Sequence, residues 1–351
     1  MKHNSFTTNE KKVLCGLATY PYDNDSIIAE KIGVKLSTFT SIKRRLEDQK
    51  YFRYLLVPNI NLLGCELLAV IYTQFNPVIP LKERVNTTKE TIEVFDEIFF
   101  SVGVAEKGFS ISLSQNYSNI GRINEIRTET FGKVGLLDKE YPNEVIFPFD
   151  TSNINRFFEF NHLLHTFFFP EKNPQTPPDK PWFTGRQHLK LTPKEKIVYV
   201  QLIQHPTATT EELGNKVGVS RHTISRMKKK FYDLNLLRPL LIPDLNKLGF
   251  ELLAFYHLKF NPHNAPTAQD ITYLNTPSTI FLAHRQFELI LIAAYPTYQT
   301  YQEDKMKKIR YLKENELITY TPLVRKYIFD RMEIIKDFTF APLAKKTVEL
   351  S

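Results

Sequence analysis

Residues 61–77 read NLLGCELLAVIYTQFNP and residues 246–262 read NKLGFELLAFYHLKFNP, with ten of seventeen positions identical. A repeat this long at a fixed offset constrains the chain more than any single motif, because it requires one structural unit to be built twice. Sliding the sequence by 185 aligns 6–77 with 191–262 without a gap and gives 26 identities in 72 positions. Thr7/Thr192, Glu10/Glu195, Gly33/Gly218, Pro58/Pro243 and Gly64/Gly249 are among them. Beyond residue 77 only landmarks persist. IFF at 98–100 answers IFL at 280–282, and FSISLSQNY at 109–117 answers FELILIAAY at 287–295. Phe149-Asp150 answers Phe329-Asp330, and FEF at 158–160 answers FTF at 338–340.

At 351 residues the chain has room for two or three domains. The repeat divides it into a first helix-turn-helix domain at 1–56 and a first ferredoxin-like domain at 57–169. A Pro-rich linker at 170–185 leads to a second helix-turn-helix domain at 186–240 and a second ferredoxin-like domain at 241–351. The linker, PEKNPQTPPDKPWFTG, carries five prolines and reads as an extended spacer. No apolar run approaches the roughly 18 residues of a membrane span, and MKHNSFTTNEKK lacks the apolar core of a secretory signal. Cys15 and Cys65 sit inside apolar patterns and read as buried hydrophobes of a cytoplasmic protein. Nothing has the spacing of a metal site, and no cofactor is expected.

Net charge is +8, unevenly spread. Residues 1–56 carry +4 and residues 185–240 carry +7, which leaves −3 for the rest. Positive charge confined to two blocks suits two modules that touch phosphates. In each block, two short helices flank a glycine turn: SIIAEKIGVKLSTFTSIKRRLEDQ and EELGNKVGVSRHTISRMKKKFYDL. Gly33 and Gly218 stand where the turn needs positive φ. Ala29 and Gly214 are small enough for a close helix crossing, and Thr209 with Glu212 forms a capping box. Phe39, Ile42 and Leu46, like Ile224, Met227 and Phe231, mark the buried face of the second helix. The opposite face supplies the candidate DNA contacts. They are Ser37, Thr40, Ser41, Lys43 and Arg44 in the first copy. In the second they are Ser220, Arg221, His222, Ser225, Arg226, Lys228 and Lys229. Arginine can read guanine edges, short hydroxyls reach bases or phosphates, and lysine positions the backbone. The second copy, with Arg221, His222 and Arg226 where the first has Leu36, Ser37 and Ser41, should bind the more strongly. A solvated amphipathic helix would show a similar charged face, but the glycine turn, the preceding helix and the repetition favour a helix-turn-helix.

After each recognition helix the order strand–helix–strand–strand–helix–strand follows, clearest in the second half. This is the βαββαβ pattern of a ferredoxin-like sandwich. The fold class expected is α+β, a winged-helix or helix-turn-helix plus a ferredoxin-like module, duplicated as an intramolecular pseudo-dimer.

With the helix-turn-helix, the Leu237-Arg238 and Pro243-to-Gly249 connection and the βαββαβ module, the chain resembles the Lrp/AsnC family of transcriptional regulators, twice over. The resemblance implies that the effector-like sheets of the two halves pair within one chain. It implies double-stranded DNA as partner, with a small-molecule effector between the effector-like modules and the transcription machinery as further candidates. It also implies a pseudo-dimeric monomer or a homodimer, without a membrane. Gly108 matches the glycine of the family's effector loop. The second half lacks it around AHRQFE, which puts effector binding there in question. The function expected is transcription regulation without enzymatic activity. Two alternatives stand beside it. The same two-module architecture resembles siroheme decarboxylases, for which His257, His284 and Arg285 are the only tempting set. Hydrogen-bonded or exposed strand residues are the plainer account of those three. The other alternative is an adaptor that keeps the helix-turn-helix fold without DNA specificity. The aromatic run RFFEFNHLLHTFFF at 156–169 reads as a packed helix rather than an exposed surface.

Overall fold

The computed structural model describes residues 6–137, 140–171, 181–184 and 188–349. Most of the segment expected as a linker, 172–180 and 185, lies outside them. The helices are α1 (Thr8–Thr19), α2 (Asp25–Lys31), α3 (Leu36–Asp48), α4 (Leu81–Glu93), α5 (Tyr117–Lys133), α6 (Asn161–Phe168), α7 (Pro193–Gln204), α8 (Thr210–Val217), α9 (Arg221–Asp233), α10 (Ala268–Leu274), α11 (Tyr298–Glu314) and α12 (Ala341–Thr347). The strands are β1 (Phe52–Pro58), β2 (Leu67–Gln74), β3 (Ile98–Val104), β4 (Lys107–Ser114), β5 (Asn143–Pro148), β6 (Asn153–Phe157), β7 (Leu237–Pro243), β8 (Leu252–Lys259), β9 (Thr279–Arg285), β10 (Glu288–Tyr295), β11 (Leu323–Ile328) and β12 (Glu333–Lys336).

The chain forms two compact units, and each draws on both repeats. Unit 1 holds residues 1–55, 153–182 and 239–330; unit 2 holds 56–152, 183–238 and 331–351. In unit 1 the helices α1–α3 belong with the sheet β11-β8-β10-β9-β6. In unit 2 the helices α7–α9 belong with the sheet β12-β3-β4-β2-β5. Each sheet is the four-stranded antiparallel ferredoxin-like order with a fifth strand from the other repeat. In unit 1 Asn153 pairs with His284 and Ile154 with Ala283. In unit 2 Glu333 pairs with Gly103 and Ile334 with Val102. The aromatic run is therefore strand β6 followed by α6, rather than one helix. Phe157 and Phe158 pack against Phe281, and Phe167 against Phe250.

The repeated residues explain themselves locally. Thr7 and Thr192 each accept from the backbone of a glutamate three residues on, Glu10 and Glu195, whose carboxylates return the bond; Thr209 and Glu212 do the same at α8. These boxes satisfy backbone donors that a helix start leaves open. Gly33 and Gly218 turn at φ +65° and +73°, a region costly for residues with a Cβ. Gly214 has a second constraint. A Cβ there would stand 2.6 Å from the Val219 carbonyl oxygen and 3.4 Å from the Arg221 amide. Neither is a flexible atom. Gly214→Val is therefore expected to destabilise by about 1–3 kcal/mol, read as a lower denaturant midpoint, whereas Gly121→Val, with nothing within 4 Å, changes mainly helix propensity.

The two ferredoxin-like cores differ in character. In unit 1 the helix-facing side chains of β8 and β10 are apolar: Ala254, Tyr256, Leu258, Leu289, Leu291 and Ala293, packed with Ile271, Leu274 and Leu312. Pairing of β4 with β2 and of β10 with β8 fixes the correspondence between the halves. Phe109 lies opposite Tyr72, and Ile290 opposite His257. The offset is thus 181 through β4 and α5, not the 178 suggested by FSISLSQNY and FELILIAAY. Ser110 and Ser112 of unit 2 then stand where unit 1 has Leu291 and Ala293.

Candidate nucleic-acid interface

On α3, Phe39, Ile42 and Leu46 are buried while Ser37, Thr40, Ser41 and Arg44 are exposed. The expected face is formed, but its cations are compensated. Lys43 is half-buried, with Nζ 2.7 Å from Asp25 Oδ1 and over the Tyr54 ring, so it stands off the exposed face. Arg44 Nε is 3.9 Å from Asp48 Oδ2, and Arg45 bonds Glu10 at 2.5 Å. Thr40 donates its hydroxyl to the Leu36 carbonyl at 3.0 Å.

On α9, Ser220 caps the first turn by accepting from the Thr223 amide at 3.2 Å. Arg221, His222, Ser225, Arg226 and Lys229 are exposed. Lys230 is bound to Glu195 at 2.5 Å, but no carboxylate of the described residues lies within ion-pair distance of Arg221, Arg226 or Lys229. Lys228 leaves the face: it is half-buried over the Tyr232 ring, and burial lowers its ammonium pKa. The two helices therefore share a scaffold and differ in available charge. The cations of α3 lie beside Asp25, Asp48 and Glu10, while α9 presents three that have no carboxylate partner among the described residues.

Of the strand residues singled out for catalysis, His257 and Arg285 converge on one carboxylate. His257 Nε2 is 2.8 Å from Glu288 Oε1, and Arg285 Nε donates to Glu288 Oε2 at 3.0 Å. These bonds outweigh burial and hold the Glu288 carboxyl below its usual pKa. His284 is partly buried, and burial lowers its pKa. His165 meets Thr19 at 3.1 Å, and His205 meets Lys216 at 2.6 Å. Among the described residues no three His, Cys, Asp or Glu side chains gather as a metal site requires, and no helix is long and apolar enough to cross a membrane. Burial pushes the Cys15 and Cys65 thiols up to about 12.

The residues that the sequence did not flag are Arg84 and Arg127. Both lie in unit 2, 4% and 3% exposed, and both line a cavity between the sheet and α4 and α5. Arg127 Nη1 donates to Ser110 Oγ at 2.9 Å. Its Nε, and Nε and Nη1 of Arg84, have no hydrogen-bond partner among the described residues. Burial brings the Arg127 guanidinium down to about 10.

No protein-family model and no curated protein sequence matches the chain. Solved structures do. The siroheme decarboxylase NirDL matches with TM-score 0.53 and 10% identity, covering 96% of this chain and 98% of that one. Its complex with an iron-uroporphyrin III analogue matches with TM-score 0.54 and 10% identity, covering 96% and 99%. A methionine-bound transcriptional regulator from Neisseria meningitidis covers 41% of this chain and 90% of its own, at TM-score 0.33 and 12% identity. The expectation that the chain is not an enzyme is corrected here: two solved structures that each cover 96% of it are those of an enzyme. The chain has a duplicated fold of helix-turn-helix and ferredoxin-like modules, similar over 96% of its length to that of the siroheme decarboxylase NirDL.

Proposed function

We propose that the chain is a sequence-specific, double-stranded DNA-binding transcription regulator that reads one site with two unlike recognition helices. The observation that carries this reading is the outer face of α9, where Arg221, Arg226 and Lys229 stand exposed with no carboxylate of the described residues within ion-pair distance. A cation left without a partner on a capped, well-packed helix is free to neutralise phosphate at little reorganisation cost, and each phosphate so neutralised releases counterions. The α3 face supports weaker, hydroxyl-led binding, because its cations must first leave Asp25, Asp48 and Glu10. Fluorescence anisotropy with a labelled duplex at several salt concentrations tests the reading. Changing Arg226 and Lys229 together to alanine should flatten the slope of log K against log salt by about 1.8, or 0.9 for each phosphate no longer neutralised. Affinity unchanged for every duplex would exclude the α9 face as the DNA-reading surface.

A second reading, catalysis on an acidic tetrapyrrole, draws on the likeness to NirDL over 96% of the chain. Its test is separate. The purified chain is incubated anaerobically with siroheme, and decarboxylated product is sought by mass spectrometry. Turnover would establish the second reading, whereas its absence together with salt-dependent duplex binding would leave the first.

A further inference from the structure

We propose that the cavity of Arg84 and Arg127 in unit 2 is a binding site for a small aliphatic monocarboxylate, with the carboxylate buried between the two guanidinium groups and the alkyl end toward solvent.

The cations come first. A buried charge persists only when something compensates its lost hydration. Arg84 and Arg127 have no carboxylate of the described residues within ion-pair distance; the exposed Glu106 acts on Arg84 only from beyond that distance, and burial outweighs it. Three of their nitrogens are buried without a hydrogen-bond acceptor among the described residues, and the Phe131 ring, 5.8 Å from the Arg127 guanidinium carbon, offers no acceptor atom to them. The acceptor that would complete them is an anion. A planar carboxylate matches a guanidinium's paired donors better than a spherical ion does.

The other half of the chain provides an internal comparison. At the 181 offset, Arg127 corresponds to Lys308, which is equally buried at 3% exposure. Lys308 is neutralised one helical turn away by Asp304, and it donates to Thr276 Oγ1 at 2.9 Å. The residue of unit 2 that corresponds to Asp304 is Ile123. The first half thus keeps a buried cation and omits the counter-ion that the second half supplies. The floor has changed with it. Gly108 and Ser110 replace Leu289 and Leu291, removing apolar bulk and adding a hydroxyl beside Arg127. A core under selection for stability alone would have no use for this exchange.

Size and rim select the ligand. The cavity is partly open and about 20 Å³ in volume, little more than one water, so that only the polar head of a ligand enters it and a whole tetrapyrrole does not. Leu81, Val85 and Val104 line the same cavity and are partly exposed, giving the mouth an apolar lip for an alkyl chain. Carboxylate binding here is independent of whether α9 binds DNA.

The experiment is thermal unfolding of the full chain in a bulky sulfonate buffer at constant ionic strength, titrated with formate, acetate, butyrate, butyramide, chloride or phosphate. Carboxylates should raise Tm by about 3–5 °C for each tenfold excess over Kd, with butyrate effective at lower concentration than formate. Butyramide, neutral and of similar shape, should do nothing. Arg127→Met should abolish the response while folding normally. Calorimetric titration of the wild type with butyrate against butyramide gives the same answer without a variant. Equal effects of butyrate and butyramide, a response to chloride or phosphate but not carboxylates, or an undiminished response in Arg127→Met would each overturn the proposal.

Discussion

Asp304→Ala is expected to destabilise the chain by about 3–5 kcal/mol, measured as a fall in denaturant midpoint. Lys308 stands 3% exposed among Tyr256, Leu258, Leu274 and Leu312. Its ammonium is held by Asp304, to which the Tyr295 hydroxyl also donates. Burial lowers the Lys308 pKa, and Asp304 opposes that shift. Removing the carboxylate leaves a cation in an apolar core with one hydroxyl for company. Removing the cation as well should recover most of the stability, because a buried ion pair exchanged for apolar groups is often neutral. The double variant Asp304→Ala, Lys308→Met should therefore be markedly more stable than Asp304→Ala alone. The matching change in unit 2 behaves differently. Arg127→Met removes a cation that has no carboxylate to abandon, so it should be near neutral in the absence of added anion.

Phe340→Ala should cost a similar amount, about 3–5 kcal/mol, as expected for a large buried aromatic. Phe340 is 3% exposed and stacks on Phe99, with centroids 4.7 Å apart. Its neighbour Phe338 stacks on Phe100 at 4.5 Å. These rings fasten the C-terminal segment, with β12 and its buried Ile335, to β3 of unit 2. A denaturant midpoint within error of wild type would show that this segment contributes little to the unit 2 core.

The helix-turn-helix modules were legible because three local signals agree there. Apolar residues recur at helical spacing, threonine–glutamate boxes mark helix starts, and a glycine occupies a left-handed turn. The βαββαβ order was legible for a similar reason, since its strands are long apolar runs broken by turns. Membership of the two compact units was not legible, because exchange of β6 and β12 leaves no local mark on the sequence. Nor were Arg84 and Arg127. Helix α5, YSNIGRINEIRTETFGK, has a polar composition, and the alternation of FSISLS suggests serines facing solvent. In the structure those serines lie under the helices. Side chains alternate along a strand, so a misalignment by three residues assigns every one to the wrong face. Pairing FSISLSQNY with FELILIAAY places Ser110 against Glu288 instead of Leu291. That slip conceals the match of Arg127 with Lys308, the comparison that exposes the missing counter-ion. His257 and Arg285 were visible in the sequence, but their common partner Glu288 was not.

Selection of bound duplexes from a random pool tests most directly the claim that two unlike recognition helices read one DNA site. The expected result is an enriched, non-palindromic sequence, with the half defined by α9 the more sharply specified. Arg226→Ala should relax only that half, at a cost of about 1–3 kcal/mol for its preferred base pair. Absence of any enriched sequence, or a palindrome on which Arg226→Ala acts equally in both halves, would contradict it.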